Sequence, residues 1–569
     1  MGELESLALA KFGKLRPAEE ELVRAAPTGE GAVCGPNVQW ADPAYDPSKA
    51  EGWGTDREIR AELIRWLCVD RRAKELVDPK GIQVVGAKIS DSLDLDNVTI
   101  PFCLSLQRCR LMKDLNLLGA QMPTLDLQGT QTLAIVADRV IVKGSIFLRD
   151  GFHAEGGVRF MGAQIGGNLD CSGATFQNPA QAGATGSGYA LNADGAVIKG
   201  SVFLNNIVNA EGNVEVPFSA KGGVRFLGAQ IGGALNCGGA TFENPALAKV
   251  SGSGNALLAD RAVVKGSVFF NKGFNAKGEV RFVSSQIEGN LACVDAKISG
   301  TLIAQTAVIK GGFFWVGIDP KETALNLRNA SVSALVDDVG SWPATGKLAL
   351  DGFVYERISE GPRDAKSRLR WLARQRQFAP QPYRQLAKVL RDEGDDAGAR
   401  KVLHEMELRR RRKEDESGFD RFWSTVLRLT IGYGYYPGRA LSWLLVIVLV
   451  GWPLFWHGYF AWSMTPTQED AYYFFENRHG SPGHYERFCA LTYSLEKTFP
   501  LIKLGQVDLW QPDPNPPPPN PATASSSNSS VPWFISAEFL RCFGWCQTVL
   551  GWILATLFAA GVTGVVRND

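Results

Sequence analysis

From residue 137 to residue 315, apolar and polar positions follow one repeated rule: an apolar residue, glycine two places later, and apolar residues again at plus four and plus six. The segment "GGVRFMGAQIGGNLDCSGATFQNP" at 156 to 179 returns as "GGVRFLGAQIGGALNCGGATFENP" at 222 to 245, and a looser copy begins at 278. Between these copies runs a second unit, "ADRVIVKGSIFL", "ADGAVIKGSVFL", "ADRAVVKGSVFF" and "TAVIKGGFFW". A period of two is that of a strand, whereas a helical repeat would return apolar residues at three and four. The anchors Val142, Ile165, Ile198, Ile231, Val264, Ile287 and Ile309 lie 22 to 33 residues apart, the length of one turn of a repeat array. The pattern predicts a mainly β fold: a parallel β-helix, or solenoid, with a helical amino-terminal cap, a helical-hairpin neck and a carboxy-terminal two-helix transmembrane module.

In that arrangement the plus-six residues Leu148, Cys171, Leu204, Cys237, Phe270, Cys293 and Trp315 form one inward column. Its cysteines fall on alternate strands, about 10 Å apart at a strand spacing of ~4.8 Å, too far to pair or to share a metal. They read as core fillers. "GAQIGG" lacks the spacing of a phosphate loop and precedes a strand, so its glycines read as tight corners.

"TDREIRAELIRWLCVDRRAKELV" from 55 has helical spacing and supplies the cap, because an open sheet edge would recruit other chains. "YRQLAKVLRDEGDDAGARKVLHEMELRRRRK" reads as two helices joined at "EGDD", ending in five consecutive basic residues, Arg409, Arg410, Arg411, Arg412 and Lys413. Residues 440 to 462 contain no Asp, Glu, Lys or Arg in 23 positions, long enough to span a bilayer, and a second span covers 544 to 566. The basic run then reads as a surface for anionic lipid rather than nucleic acid. Basic residues crowd before the first span and only five lie between the spans, which places both termini in the cytoplasm. The expected domains are 1–80, amino-terminal segment and cap; 81–340, β-helix; 341–415, neck; 416–439, interfacial segment; 440–462, first span; 463–543, extracytoplasmic loop with a Pro/Ser linker; 544–569, second span and tail.

Composition adds exclusions. The 60 basic and 59 acidic residues nearly cancel, which argues against a general polyanion-binding surface. The amino terminus is charged where a secretory signal needs an apolar core. The ten cysteines form no CxxC pair and read as reduced thiols. His479 and His484 with Glu486 are the one close candidate metal set, and solvated side chains in a Gly/Pro loop are the plainer reading. Asp170, Asp194 and Asp260 are candidate acids, but Asp194 and Asp260 recur at corresponding places, as turn-forming residues do. No dinucleotide, flavin or haem motif is found, so no catalytic residue, cofactor or metal ligand is assigned.

Two stretches raise an ion channel. Thr430-Ile431-Gly432-Tyr433-Gly434 spells a potassium-filter motif, yet a filter needs a membrane helix before it, and none precedes Thr430. Residues 486 to 506, "ERFCALTYSLEKTFPLIKLGQ", do lie between the spans but lack a filter sequence; a helix lying on the membrane is preferred to a re-entrant one.

The rungs "GAQIGGNLDCSGA" and "ALNADGAVIKGSVFL", with "YRQLAKVLRDEGDDAGA", "GYGYYPGRALSWL" and "YSLEKTFPLIKLG", resemble a family of bacterial β-helix proteins with a two-span membrane module, over roughly residues 55 to 566. Members are commonly labelled membrane-associated oxidoreductase, and the rungs are similar in style to pentapeptide-repeat and bactofilin solenoids. The resemblance implies an enzyme without supplying a catalytic motif. The residues themselves point first to a scaffold tethered to the bacterial inner membrane, binding an unknown protein or polymer. An oligomeric channel or signal transducer is the alternative, and the oxidoreductase the third reading.

Overall fold

A computed structural model describes residues 2–36, 43–181, 188–247, 250, 252–411, 418–478, 482–499, 501–515 and 533–563. It divides into two compact units, Met1–Val402 and Leu403–Asp569.

The expected mainly β class, a parallel β-helix, is corrected. The chain is a large α/β fold in which parallel strands form extended sheets of 20, 10 and 11 strands, with thirteen α-helices among the described residues. Period-two alternation identifies strands and the face each residue takes, but not how whole sheets are disposed. Among the described residues four helices, Glu3–Phe12, Pro17–Ala25, Ala61–Val69 and Arg71–Leu76, precede the repeat, and nine follow residue 364.

Within the first unit the repeat does what its pattern predicts locally. Val142, Ile165, Ile198, Ile231, Val264, Ile287 and Ile309 lie opposite one another in register, strand to parallel strand. Most of these strands are only two residues long, so each is held by its neighbours rather than by its own length. The inward column from Leu148 to Trp315 is buried throughout. A second column, Phe152, Phe176, Phe218, Phe242 and Phe274, keeps ring centroids 5.4–5.9 Å apart, within the range of favourable tilted aromatic pairs. Parallel strands also continue past residue 340, at Leu348–Ala349 and Val354–Glu360, inside the segment read as neck. The turns at corresponding places of successive repeats take a left-handed backbone, with glycine at 162, 195 and 228 and Arg139 or Arg261 elsewhere.

Side chains close the open ends of the sheets. At the first strands Arg57 donates to the Gly86 carbonyl through Nε (2.9 Å) and Nη2 (2.7 Å), and Arg65 donates to the Asp94 carbonyl. Glu19, fully buried, accepts from the Arg60 backbone N–H and guanidinium and from the Arg16 N–H. Burial alone would raise its carboxyl, but these donors outweigh burial and hold it below its ordinary range. At the last long strand the helix Gln381–Asp392 lends two amides one turn apart. Gln381 accepts from Gly352 N–H (2.9 Å) and donates to the Phe353 carbonyl (3.2 Å), and Gln385 donates to the Tyr355 carbonyl (2.6 Å). Unpaired strand edges template association with other chains. Replacing Gln381 and Gln385 together with Ala is therefore expected to leave the fold intact but produce concentration-dependent higher oligomers in size-exclusion chromatography. An unchanged elution profile at every concentration would reject the capping role.

Candidate functional site: a short helix between two apolar helices

In the second unit two helices, Gly438–Phe460 (23 residues) and Ala537–Val562 (26 residues), are long and apolar enough to cross a membrane. Between them in sequence lies the short helix Ala490–Thr498, whose buried residues Ala490, Tyr493, Ser494 and Thr498 recur at three and four and so share one face. That face is pinned by polar contacts. Ser494 Oγ donates to the Val448 carbonyl (3.0 Å) and Thr498 Oγ1 to the Ser494 carbonyl (2.8 Å). Gln547, 1% exposed, donates through Nε2 to Ser494 Oγ (2.8 Å) and Thr498 Oγ1 (2.6 Å). Each hydroxyl thus gives its proton to a carbonyl and takes one from the amide.

Glycines allow the close approach. A Cβ on Gly451 would lie 2.4 Å from Ser494 Oγ, and one on Gly551 would lie 2.0 Å from the Thr498 carbonyl oxygen. Small residues of this kind are how apolar helices bring backbones together. Val448 is ten residues from the start of its helix and Gln547 ten from the start of its own, about 15 Å along each at 1.5 Å per residue. The short helix therefore sits at mid-length of the apolar pair. Sequence reading preferred a helix lying on the membrane, and the amide that draws the helix inward, Gln547, is 53 residues from Ser494 and 49 from Thr498. Its signal was one carboxamide, beside two threonines, within "GWCQTVLGWILATLFAAGV".

At one end of the pair an aromatic cluster of Phe455, Tyr459, Phe475, Phe488, Tyr493 and Trp510 packs over the short helix. Trp510 Nε1 donates to the Glu486 carbonyl (3.2 Å), and the antiparallel strands Met464–Pro466 and Trp510–Pro512 tie the segment together. After the helix the Glu496 carboxylate accepts from Gly505 N–H (3.2 Å) and Val507 N–H (3.0 Å), closing a loop whose Leu501, Ile502 and Leu504 are exposed.

The structure separates the other candidates. Thr430 ends the helix Gly418–Thr430, and Gly432, Tyr433 and Gly434 form a left-handed turn. The filter-like motif precedes both apolar helices. Within the basic run, Arg409 pairs with Glu405 (2.8 Å) and Arg410 with Glu407 (3.7 Å), Arg411 is the last residue of its helix, and Arg412 and Lys413 lie outside the described residues. His479 also lies outside them, His484 is exposed, and Glu486 accepts from Gln506 Nε2 (3.3 Å). Among the described residues no group of three or more His, Cys, Asp and Glu converges.

Asp170 accepts from Ser172 N–H (3.1 Å) in a local turn. Asp194 and Asp260 reach further: each accepts a backbone N–H from the neighbouring strand's turn, Leu227 (3.0 Å) and Val283 (2.9 Å), and holds an arginine there, Arg225 (2.5 Å) and Arg281 (2.9 Å). They are clamps between strands. Cys171, Cys237 and Cys293 are free, fully buried and separated by Leu204 and Phe270, and burial pushes their thiols well above the usual range.

No family model, curated protein or solved structure matches this chain.

Proposed function

We propose that this chain is a multi-pass protein of the bacterial inner membrane whose copies assemble around a transmembrane path. The short helix 490–498 and its following loop would form the re-entrant wall of that path. The observation that carries the reading is the seating of the helix at mid-length of two membrane-competent helices, through Ser494, Thr498 and Gln547. Polar contacts of this kind at such depth serve function more often than anchoring, because an anchor needs only apolar surface. Two spans cannot enclose an aqueous path alone, so the reading requires a symmetric assembly. The excess of basic residues before the first span supports a topology with both termini in the cytoplasm and the Arg409 to Lys413 run near anionic lipid.

A membrane-tethered scaffold is the second reading, favoured by the long ladder with its capped ends. One pair of measurements separates the two: mass by light scattering in mild detergent and ion flux from protein-loaded liposomes. The channel reading expects a closed oligomer and flux above that of empty liposomes. A monomer without flux would refute it and leave the scaffold.

A further inference from the structure

On the outer face of the 20-stranded sheet, one column of residues runs Phe147, Asp170, Phe203, Asn236, Phe269, Ala292, Phe314 in unbroken register. The four phenylalanines are half-exposed. They recur on every second strand until Phe314, about 9.5 Å apart at two strand spacings of ~4.8 Å. The intervening positions hold the short side chains of Asp170, Asn236 and Ala292, so rings alternate with small groups, the first two of them polar.

An antiparallel hairpin, Ile207–Val208 with Val214–Val216, interrupts the regular ladder on this side. The hairpin walls a cavity of ≈ 520 Å³ whose other side includes Asn236, Phe269, Asn271 and Lys272. Val208 and Val214 are exposed on the hairpin, an apolar flank facing a polar floor. Asn236 Oδ1 accepts from Gly238 N–H (3.0 Å), while its Nδ2 and the whole Asn271 amide have no partner among the described residues. Gly238 keeps the space between them open: a Cβ there would lie 2.9 Å from Asn271 Oδ1 and 3.3 Å from Asn236 Oδ1.

We infer that this cavity and the phenylalanine column bind a linear polysaccharide, with a pyranose ring stacked on Phe269 and its hydroxyls bonded to Asn236 and Asn271. A pyranose presents an apolar C–H face and a rim of vicinal hydroxyls. The first matches a half-exposed aromatic ring, and the second matches carboxamides, which offer a donor and an acceptor side by side. A concave site with an apolar wall and a few convergent polar groups is the usual form of a small-ligand pocket. Single-stranded nucleic acid also stacks on aromatic rings, but it needs cations along its backbone. Among the described residues Lys272 is the one cation lining the cavity, and Asp170 adds a carboxylate to the same column.

The test is calorimetric titration of the full-length protein in detergent with cellohexaose and with the β-1,4-linked hexamer of N-acetylglucosamine, with hexathymidylate as competitor. At least one hexasaccharide is expected to bind. Phe269→Ala and Asn271→Ala are each expected to weaken it about tenfold, at an unchanged melting temperature. Gly238→Ala is expected to abolish binding by filling the space between the amides. If Phe269→Ala disturbs folding, Asn271→Asp, equal in size, carries the same expectation. The inference falls if neither sugar binds at millimolar concentration, if the variants bind as the parent does, or if hexathymidylate displaces the sugar from this site.

Discussion

Arg368→Met is expected to destabilise the first unit by about 3–5 kcal/mol, the usual cost of stranding one partner of a buried ion pair. Arg368 is completely buried and meets Asp337, itself 4% exposed, through two parallel bonds of 2.7 Å. Its Nε donates to the Pro362 carbonyl (2.6 Å), and Trp342 Nε1 donates to Asp337 (2.9 Å). The pair joins the strand Ser331–Asp337 to the helix Ala365–Leu372 at the far end of the ladder. Methionine fills similar volume but gives the carboxylate no proton, leaving it with the indole alone. Adding Asp337→Leu should recover much of the loss, because an apolar pair of similar size replaces charges that were costly to desolvate. Thermal melting of the single and double variants decides the matter. A single variant that melts with the parent, or a double variant worse than both singles, would show that the pair does not hold this end.

Gly551→Leu is expected to abolish the liposome flux while helix content and membrane insertion persist. A side chain at 551 would begin 2.0 Å from the Thr498 carbonyl, and the contact is with backbone, so the short helix itself must move. Gln547→Leu should act in the same direction more weakly. It removes donors to Ser494 and Thr498 but leaves the hydroxyl protons on their carbonyls, and interhelical hydrogen bonds between apolar helices average ~0.6 kcal/mol. The ordering of the two variants is the informative result. Flux unaltered by Gly551→Leu would mean that the short helix does not line the path.

Local pattern was legible where a residue's neighbours in sequence are also its neighbours in space or stand one repeat away. The seven anchors, the buried Leu148-to-Trp315 column and both apolar helices follow from alternation or from length. The class was not legible, because alternation says nothing about the helices that surround the ladder or about how sheets are disposed. Contacts that depend on single polar residues far apart were missed as well. Nothing in the repeat marks Gln381 and Gln385 as partners of a strand near 355, or Gln547 as a partner of Ser494. Asp194 and Asp260 were recognised as recurring but assigned to local turns, whereas their acceptors serve the next strand. The Thr430-to-Gly434 motif shows the reverse: its letters suggested a filter, and its position before both apolar helices denies it that place.

The strands of the ladder pair with partners close in sequence, Leu104 with Leu125, Ile165 with Ile198, Ile287 with Ile309, although every such pairing is parallel. Parallel sheets ordinarily fold slowly, since distant segments must meet before any contact rewards them. Here each partner after the first strand arrives 20 to 44 residues later, a small fraction of the unit. The chain can therefore be laid down strand by strand as it leaves the ribosome, every new strand covering the edge of the last, beginning from the end that Arg57 and Arg65 close. Gln381 and Gln385 emerge after the ladder's final strand, and the two apolar helices later still, so this unit can be complete before those helices are made.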